Sequence, residues 1–184
     1  MYKALLVLFL ITLIGCKKNV IKQSPVDELP APTQTGANII AWRTDGVPYV
    51  SSGYVNSVNV YVDTNKNSRY FNTGNFSIET TVVNNKGFKR GVILVSPMNI
   101  SFPIEPGTIF PISYGGSNAL FESVGDSTTI NVFGGGNGSI TVTYYNFDKK
   151  IISGSFSFDA LKNATGLIRK ISDGRFDATF YFVH

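Results

Sequence analysis

Cysteine, histidine and charge are all scarce in this 184-residue chain. One Cys and one His exclude nearly every Cys/His metal centre and leave no partner for an internal disulfide. Charged residues make up only 15%, against about a quarter in ordinary globular proteins. That shortage excludes a coiled coil, a long charged helix and an acidic disordered tail. The net charge is +4, and the basic residues fall in scattered pairs: Lys17/Lys18, Lys89/Arg90, Lys149/Lys150 and Arg169/Lys170. A surface that binds nucleic acid needs a continuous basic stripe, so none is expected here. No apolar run is long enough to span a bilayer. The longest near the start, Ala4 to Ile14, would reach about 17 Å as a helix against roughly 30 Å of hydrocarbon. What the chain does have is 43% apolar and 13% aromatic residues with 18 glycines, enough to build one core with many turns.

A basic start, Met1-Tyr2-Lys3, followed by a short apolar run is the pattern of a secretory signal peptide. Leu13-Ile14-Gly15-Cys16 then resembles the lipobox of bacterial lipoproteins. The resemblance implies that the Cys16 thiol accepts diacylglycerol and that the chain is cut just before it. The membrane partner would be lipid, held through acylated Cys16, with Lys17 and Lys18 at the headgroups. From Lys17 to Gly36 the sequence carries three prolines and no period. It reads as an extended tether, with room for one helical turn at Ser24 to Glu28, and reaches about 60 Å at ~3.1 Å per residue. The expected plan is a signal peptide over 1–15, lipidated Cys and tether over 16–36, and one β domain over 37–184. A fragment starting at Gly36 is expected to fold alone.

From Ala37 onward the pattern has a period of two. Val58/Val60/Val62, Phe76/Ile78/Thr80/Val82 and Ile140/Val142/Tyr144 alternate with polar residues. Near the C-terminus Gly154/Phe156/Phe158/Ala160 oppose Ser153/Ser155/Ser157/Asp159, and Phe176/Ala178/Phe180/Phe182 oppose Arg175/Asp177/Thr179. Turn residues punctuate these runs: Asp45-Gly46, Asn65-Lys66-Asn67, Asn84 to Gly87, Pro106-Gly107, Gly134 to Gly138 and Asp173-Gly174. No window has a helical period. The expected fold is all-β and antiparallel, either a two-sheet sandwich or a flattened barrel, with no substantial helix outside the signal peptide.

Two stretches carry a second resemblance. Leu29-Pro30-Ala31-Pro32-Thr33-Gln34-Thr35-Gly36-Ala37-Asn38, and Ile151 to Ala160 followed by Ile171-Ser172-Asp173-Gly174-Arg175-Phe176-Asp177, resemble a group of uncharacterised Bacteroidetes lipoproteins. That group shares a lipobox, a Pro-rich tether ending near PPxTQTGANT, and a closing SGxFxFxA…DGRFD pair of strands. The resemblance implies a fold and an address, the cell envelope, but no activity.

Several clusters suggest chemistry. Asp63, Asn65 and Asn67 space three oxygens as a calcium loop begins, but Ser68 and Gly74 stand where that loop needs Gly and Glu. Gly134 to Gly138 lacks the Lys and the helix of a phosphate loop, and a β run follows it. Trp42, Tyr54, Tyr61 and Tyr70 can form an aromatic platform for a ligand, or pack in the core. Asp126-Ser127-Thr128 resembles a Bacteroidetes O-glycosylation acceptor at Ser127. Among the carboxylates Glu79, Glu105, Glu122, Asp126, Asp148, Asp159, Asp173 and Asp177, no spacing selects an acid/base pair. Asp159 and Asp177 are expected on solvent-facing ladder positions. His184, the sole imidazole, has no expected orienting partner. No metal, cofactor or catalytic residue is assigned. The function expected is a binding or scaffolding β domain on the periplasmic face of the outer membrane, with an unspecified protein or glycan partner. The alternatives are a carboxylate-dependent glycan or cell-wall hydrolase and a barrel carrying a small apolar ligand.

Overall fold

Alternation of apolar and polar residues builds strands, because successive side chains on extended backbone point to opposite faces. The computed structural model of the chain describes residues 29–52, 57–63, 73–83, 89–97, 100–113, 119–124, 130–162 and 165–183. No helix occurs among the described residues. Twelve strands do: β1 (Ile39–Thr44), β2 (Val47–Ser52), β3 (Ser57–Asp63), β4 (Thr73–Val83), β5 (Lys89–Val95) and β6 (Ile100–Ser101). The remaining six are β7 (Ile109–Ile112), β8 (Ala119–Val124), β9 (Ile130–Asn146), β10 (Ile151–Lys162), β11 (Leu167–Thr179) and β12 (Tyr181–Val183).

The strands form two antiparallel sheets of six and four strands. The larger runs β7-β9-β10-β11-β1-β2 and the smaller β3-β4-β5-β8, with β6 paired to β4. β9 belongs to both, since its first residues pair with β8 and its later ones with β10 and β7. β12 pairs with β3, in parallel. Because β11 continues into β12 after a single residue, the chain passes from one sheet to the other there as well. The result is an open sandwich. The flattened barrel does not form, since the sheets do not close.

Between the sheets lie Ile40 and Trp42 of β1, Phe76 and Ile78 of β4, Leu94 of β5, Phe121 of β8, Ile140 and Val142 of β9, and Ile152 and Phe158 of β10, all essentially inaccessible. Phe156, Phe176, Ala178 and Phe180 join them, as alternation predicts. Facing pairs in β10 and β11 interlock. Gly154 sits opposite Phe176 and Phe156 opposite Gly174. A Cβ on Gly154 would come within 2.5 Å of the Phe176 ring, and one on Gly174 within 2.5 Å of the Phe156 ring. Each phenyl ring therefore lies across the glycine of its neighbour, and the sheet face stays packed without a gap.

Turn chemistry holds at two places. Asp45 and Gly46 both have positive φ (49° and 84°), the requirement of a type I′ hairpin, and they join β1 to β2. Pro106-Gly107 forms a type II turn, with Gly107 at φ 92° and the Thr108 amide donating to the Glu105 carbonyl at 3.1 Å. Two other expected turns are not turns. Asp173-Gly174 lies inside β11, with Asp173 at φ 52°, where the register of β11 shifts against both β1 and β10. It is a bulge: one left-handed residue kinks the strand without ending it. Gly134 to Gly138, expected as a hairpin loop, lies inside β9. A Cβ on Gly138 would sit 2.0 Å from the Ser157 carbonyl oxygen and 2.6 Å from Phe158 Cα. The absent side chains thus admit β10 closely where β9 changes sheets. The expected turns Asn65 to Asn67 and Asn84 to Gly87 lie outside the described residues.

Phe158→Ala and Phe180→Ala should each destabilise the domain by about 3–5 kcal/mol, since both rings are buried. Gly174→Ala should cost about 1–3 kcal/mol, because the new methyl meets backbone as well as a ring. Ser155→Ala, on the exposed face, should stay within about 0.5 kcal/mol. Urea unfolding midpoints for the four variants check the assignment of the two faces.

Candidate functional site

The outer face of the six-stranded sheet is made by Ser, Thr and charged residues of β9, β10 and β11, and it should be open to solvent. At one place it is not. Asp177 is only 3% exposed, although it points away from the Phe176/Ala178 face. This corrects its expected solvent-facing position. The cause lies in residues 30–38, which run across the sheet as a strap and cover it. The strap's residues 30–36 are the end of the segment read from the sequence as a tether.

The strap is held mostly by this one carboxylate. Oδ2 accepts from the Thr33 hydroxyl at 2.6 Å, the Thr35 amide at 3.0 Å, the Thr35 hydroxyl at 3.2 Å and the Ala37 amide at 3.2 Å. Oδ1 accepts from the Gly36 amide at 2.8 Å and from the Ser153 hydroxyl of β10 at 2.8 Å. Gly36 has φ 73°, a conformation glycine adopts without strain, and it lets consecutive amides curl around the carboxylate. The need for Ser153 explains why it is buried while Ser155 and Ser157 are exposed.

Flanking contacts fix the strap at both ends. Upstream, Arg175 Nη1 donates to the Pro30 carbonyl, and Gln34 Nε2 reaches the Thr143 carbonyl at 3.4 Å. Downstream, Asn38 Oδ1 accepts from the Thr179 amide and hydroxyl, both at 3.0 Å. A second carboxylate acts in a similar way at the far end of β11. Asp45 Oδ1 accepts from the Lys170 amide at 2.9 Å, and Oδ2 from Arg169 Nη1 at 2.7 Å. Burial alone would raise the Asp45 pKa, but these hydrogen bonds hold it below the usual carboxylate value.

Electrostatics decide what Asp177 can do. Burial alone would raise its pKa. The hydrogen bonds from Thr33, Thr35, Ala37 and Gly36 outweigh that and bring it down to about 2. The carboxylate is therefore ionised at neutral pH and its acceptor positions are filled. It cannot deliver a proton, and it offers no open lone pair to a substrate. Its chemistry is structural: it closes the strap onto the sheet.

The other candidates do not gather around it. Trp42 is buried in the core, stacked on Tyr49 at 5.6 Å, with Nε1 donating to Thr44 Oγ1 at 3.1 Å. It takes the core-packing role rather than the platform role. Asp159 is partly exposed and lies 3.5 Å from Asn137 Nδ2. Glu105, Asp148 and Asp173 are exposed, Glu105 and Asp148 on turns and Asp173 at the β11 bulge. Asp63 and Tyr61 lie in β3, Tyr61 opposite Asn75. Asn65, Asn67, Tyr54, Tyr70, Asp126, Ser127, His184 and Cys16 lie outside the described residues. Among the described residues no group of three metal-ligating side chains forms. One further polar group stands out. The Tyr145 hydroxyl is buried without a hydrogen-bond partner, its ring stacked on Phe180 at 5.5 Å and tilted against Phe102 at 5.8 Å. Burial raises its pKa to about 12, so it stays neutral.

Sequence reading isolates both halves of the clasp, Thr33 to Asn38 and Asp173 to Asp177, as conspicuous stretches without joining them. Their separation exceeds 130 residues, and only the pairing of β1 with β11 brings them together.

Asp177→Asn should lower stability by about 2 kcal/mol at neutral pH, the linkage value of a carboxylate moved from 3.8 to about 2. Because its folded pKa is depressed, that stability is full above about pH 4 and is lost as pH falls through about 2. Starting the chain at Ala37 removes Thr33, Thr35 and Gly36 and should cost a similar amount. The two changes combined should cost little more than either alone, since they break the same contacts. Thermal unfolding of the four proteins from pH 7 to pH 2 measures this. No protein-family model, curated protein or solved structure matches the chain.

Proposed function

We propose that the chain is a lipid-anchored protein of the bacterial cell envelope whose β-sandwich binds or scaffolds rather than catalyses. Its address comes from Leu13-Ile14-Gly15-Cys16, with Cys16 as the acyl acceptor. The observation that supports the reading is the clasp on Asp177. The most heavily hydrogen-bonded carboxylate among the described residues fastens the segment that would lead to the anchor. A fastened segment transmits position from membrane to domain, as a scaffold or a binding module requires. A hydrolase would instead need an exposed pair of carboxylates with one raised pKa, whereas among the described residues Asp45 and Asp177 are both held below the usual carboxylate value.

Fastening also shortens the free connection. Residues 30–38 belong to the domain, so only Lys17 to Leu29 remain as tether. That is about 40 Å at ~3.1 Å per residue, rather than about 60 Å. Two or three acyl chains, at about 0.8 kcal/mol per buried CH₂, hold such a protein at the bilayer durably. Lys17 and Lys18 follow the acylated residue and favour the periplasmic face of the outer membrane. The partner would be protein or glycan, and no cofactor is needed.

Cys16→Ala should abolish the lipid-dependent mass increase and the partitioning into a detergent phase. Mass spectrometry of the protein from a lipoprotein-processing bacterial host tests this, and an unchanged acylated mass in the variant would end the reading.

A further inference from the structure

Load that enters the domain from its upstream side meets the strap before anything else. The strap crosses the strands: Gln34 reaches Thr143 of β9, Thr33 and residues 35–37 meet Asp177 of β11, and Asn38 meets Thr179. β1 follows directly at Ile39. A pull on Leu29 is therefore borne by the contacts of the strap, and β1 feels none of it until they part.

The two segments are held in different ways. Every hydrogen bond between the strap and the sheet among the described residues runs through a side chain, and five of the nine end on Asp177. Losing that one carboxylate thus unfastens the strap. None of residues 30–37 is buried, and Thr33, Thr35 and Ala37 are exposed. β1, by contrast, pairs with β11 on one side and β2 on the other, and Ile40, Ala41 and Trp42 are wholly inaccessible. Segments with few buried apolar contacts and exposed hydrogen bonds open locally, at a free energy well below that of global unfolding. The strap has those properties and β1 does not. Asn38, bonded twice to Thr179, marks where one ends and the other begins.

We infer that the strap is an extensible end of the tether: a pull from the anchor opens the Asp177 clasp first and releases residues 30–37 while β1 and the sandwich stay folded. The inference rests on the lipoprotein reading for the source of the load, and on the clasp for the order of release. Opening lengthens the free connection from about 40 Å to about 65 Å, at ~3.1 Å per residue. Closing again needs no strand to refold. Asp177 stays on β11, ionised at neutral pH, and its amide donors stay consecutive in the chain, so the change reverses when the load falls.

The experiment uses the chain from Cys16 to His184, which contains every described residue. Optical tweezers hold it by the Cys16 thiol and by Asp148→Cys, in the exposed turn between β9 and β10. Two steps are expected. The first is a reversible extension of no more than about 29 Å, the full reach of eight residues, and the second, at higher force, unfolds the sandwich. Asp177→Asn should abolish the first step and keep the second, which reports that the variant is folded. Gly36→Ala should do the same, because its methyl would lie 2.9 Å from Thr179 Cγ2 at a residue with φ 73°. A single step in the parent chain, a first step longer than eight residues allow, or a first step unchanged in either variant overturns the inference. The load is applied through the thiol itself, so the result does not depend on acylation. If Cys16 carries no lipid in the bacterial host, the anchor fails as the source of load together with the lipoprotein reading. If it carries lipid and the tweezers show one step, only the extensible tether fails.

Discussion

A single buried carboxylate organises the outer side of this domain. An ionised group removed from water is costly unless hydrogen bonds replace its hydration shell. Asp177 receives those bonds from Thr33, Thr35, Gly36 and Ala37 on one side and Ser153 on the other. The dependence runs both ways. Without the strap the charge would face solvent at a partly covered position, and without the charge the strap's amides and hydroxyls would lose their acceptor. Irregular backbone can lie flat on a sheet only if its polar groups find partners, and here one side chain takes three consecutive amides, those of Thr35, Gly36 and Ala37.

β11 is the strand that makes this possible. It pairs with β10 and β1, carries Arg175, Asp177 and Thr179 to the strap, and offers its other end to Asp45. The bulge at Asp173-Gly174 lets one long strand serve both ends by resetting its register between them. The β10 and β11 glycines play a complementary part on the core side. Gly154 and Gly174 leave room for the rings of Phe176 and Phe156, so the central ladder packs tightly where the strand bends. The outer clasp and the inner packing thus act on the same few residues of one strand, from opposite faces.

Much of this was legible in the residue order, and the reasons are local. A period of two, with Phe156/Phe158 and Phe176/Ala178/Phe180 on one phase, is enough to select strands and the buried face, because pleated geometry allows nothing else. Asp45-Gly46 identifies its own turn, since both positions need positive φ and both residues tolerate it. The shortage of Cys, His and charge excludes whole classes of site without any coordinates. Equally local signals misled at Asp173-Gly174 and at Gly134 to Gly138. The same left-handed residue or glycine run that ends a strand in a hairpin also bends one that continues, and the difference is whether a neighbouring strand pairs past it.

The sequence by itself therefore determined the fold class and the buried phase of the main strands. These follow from composition and from contacts between residues two apart. Only the tertiary structure decided that the sheets stay open, that β9 serves both of them, and that Trp42 fills the core. It alone decided the fate of Asp177. Alternation places that residue on the outer face correctly, but burial of an outer-face residue depends on what else covers it. The covering segment is more than 130 positions away and carries no strand period. Its attachment becomes visible only when β1 is laid beside β11 and six donors converge on two oxygens.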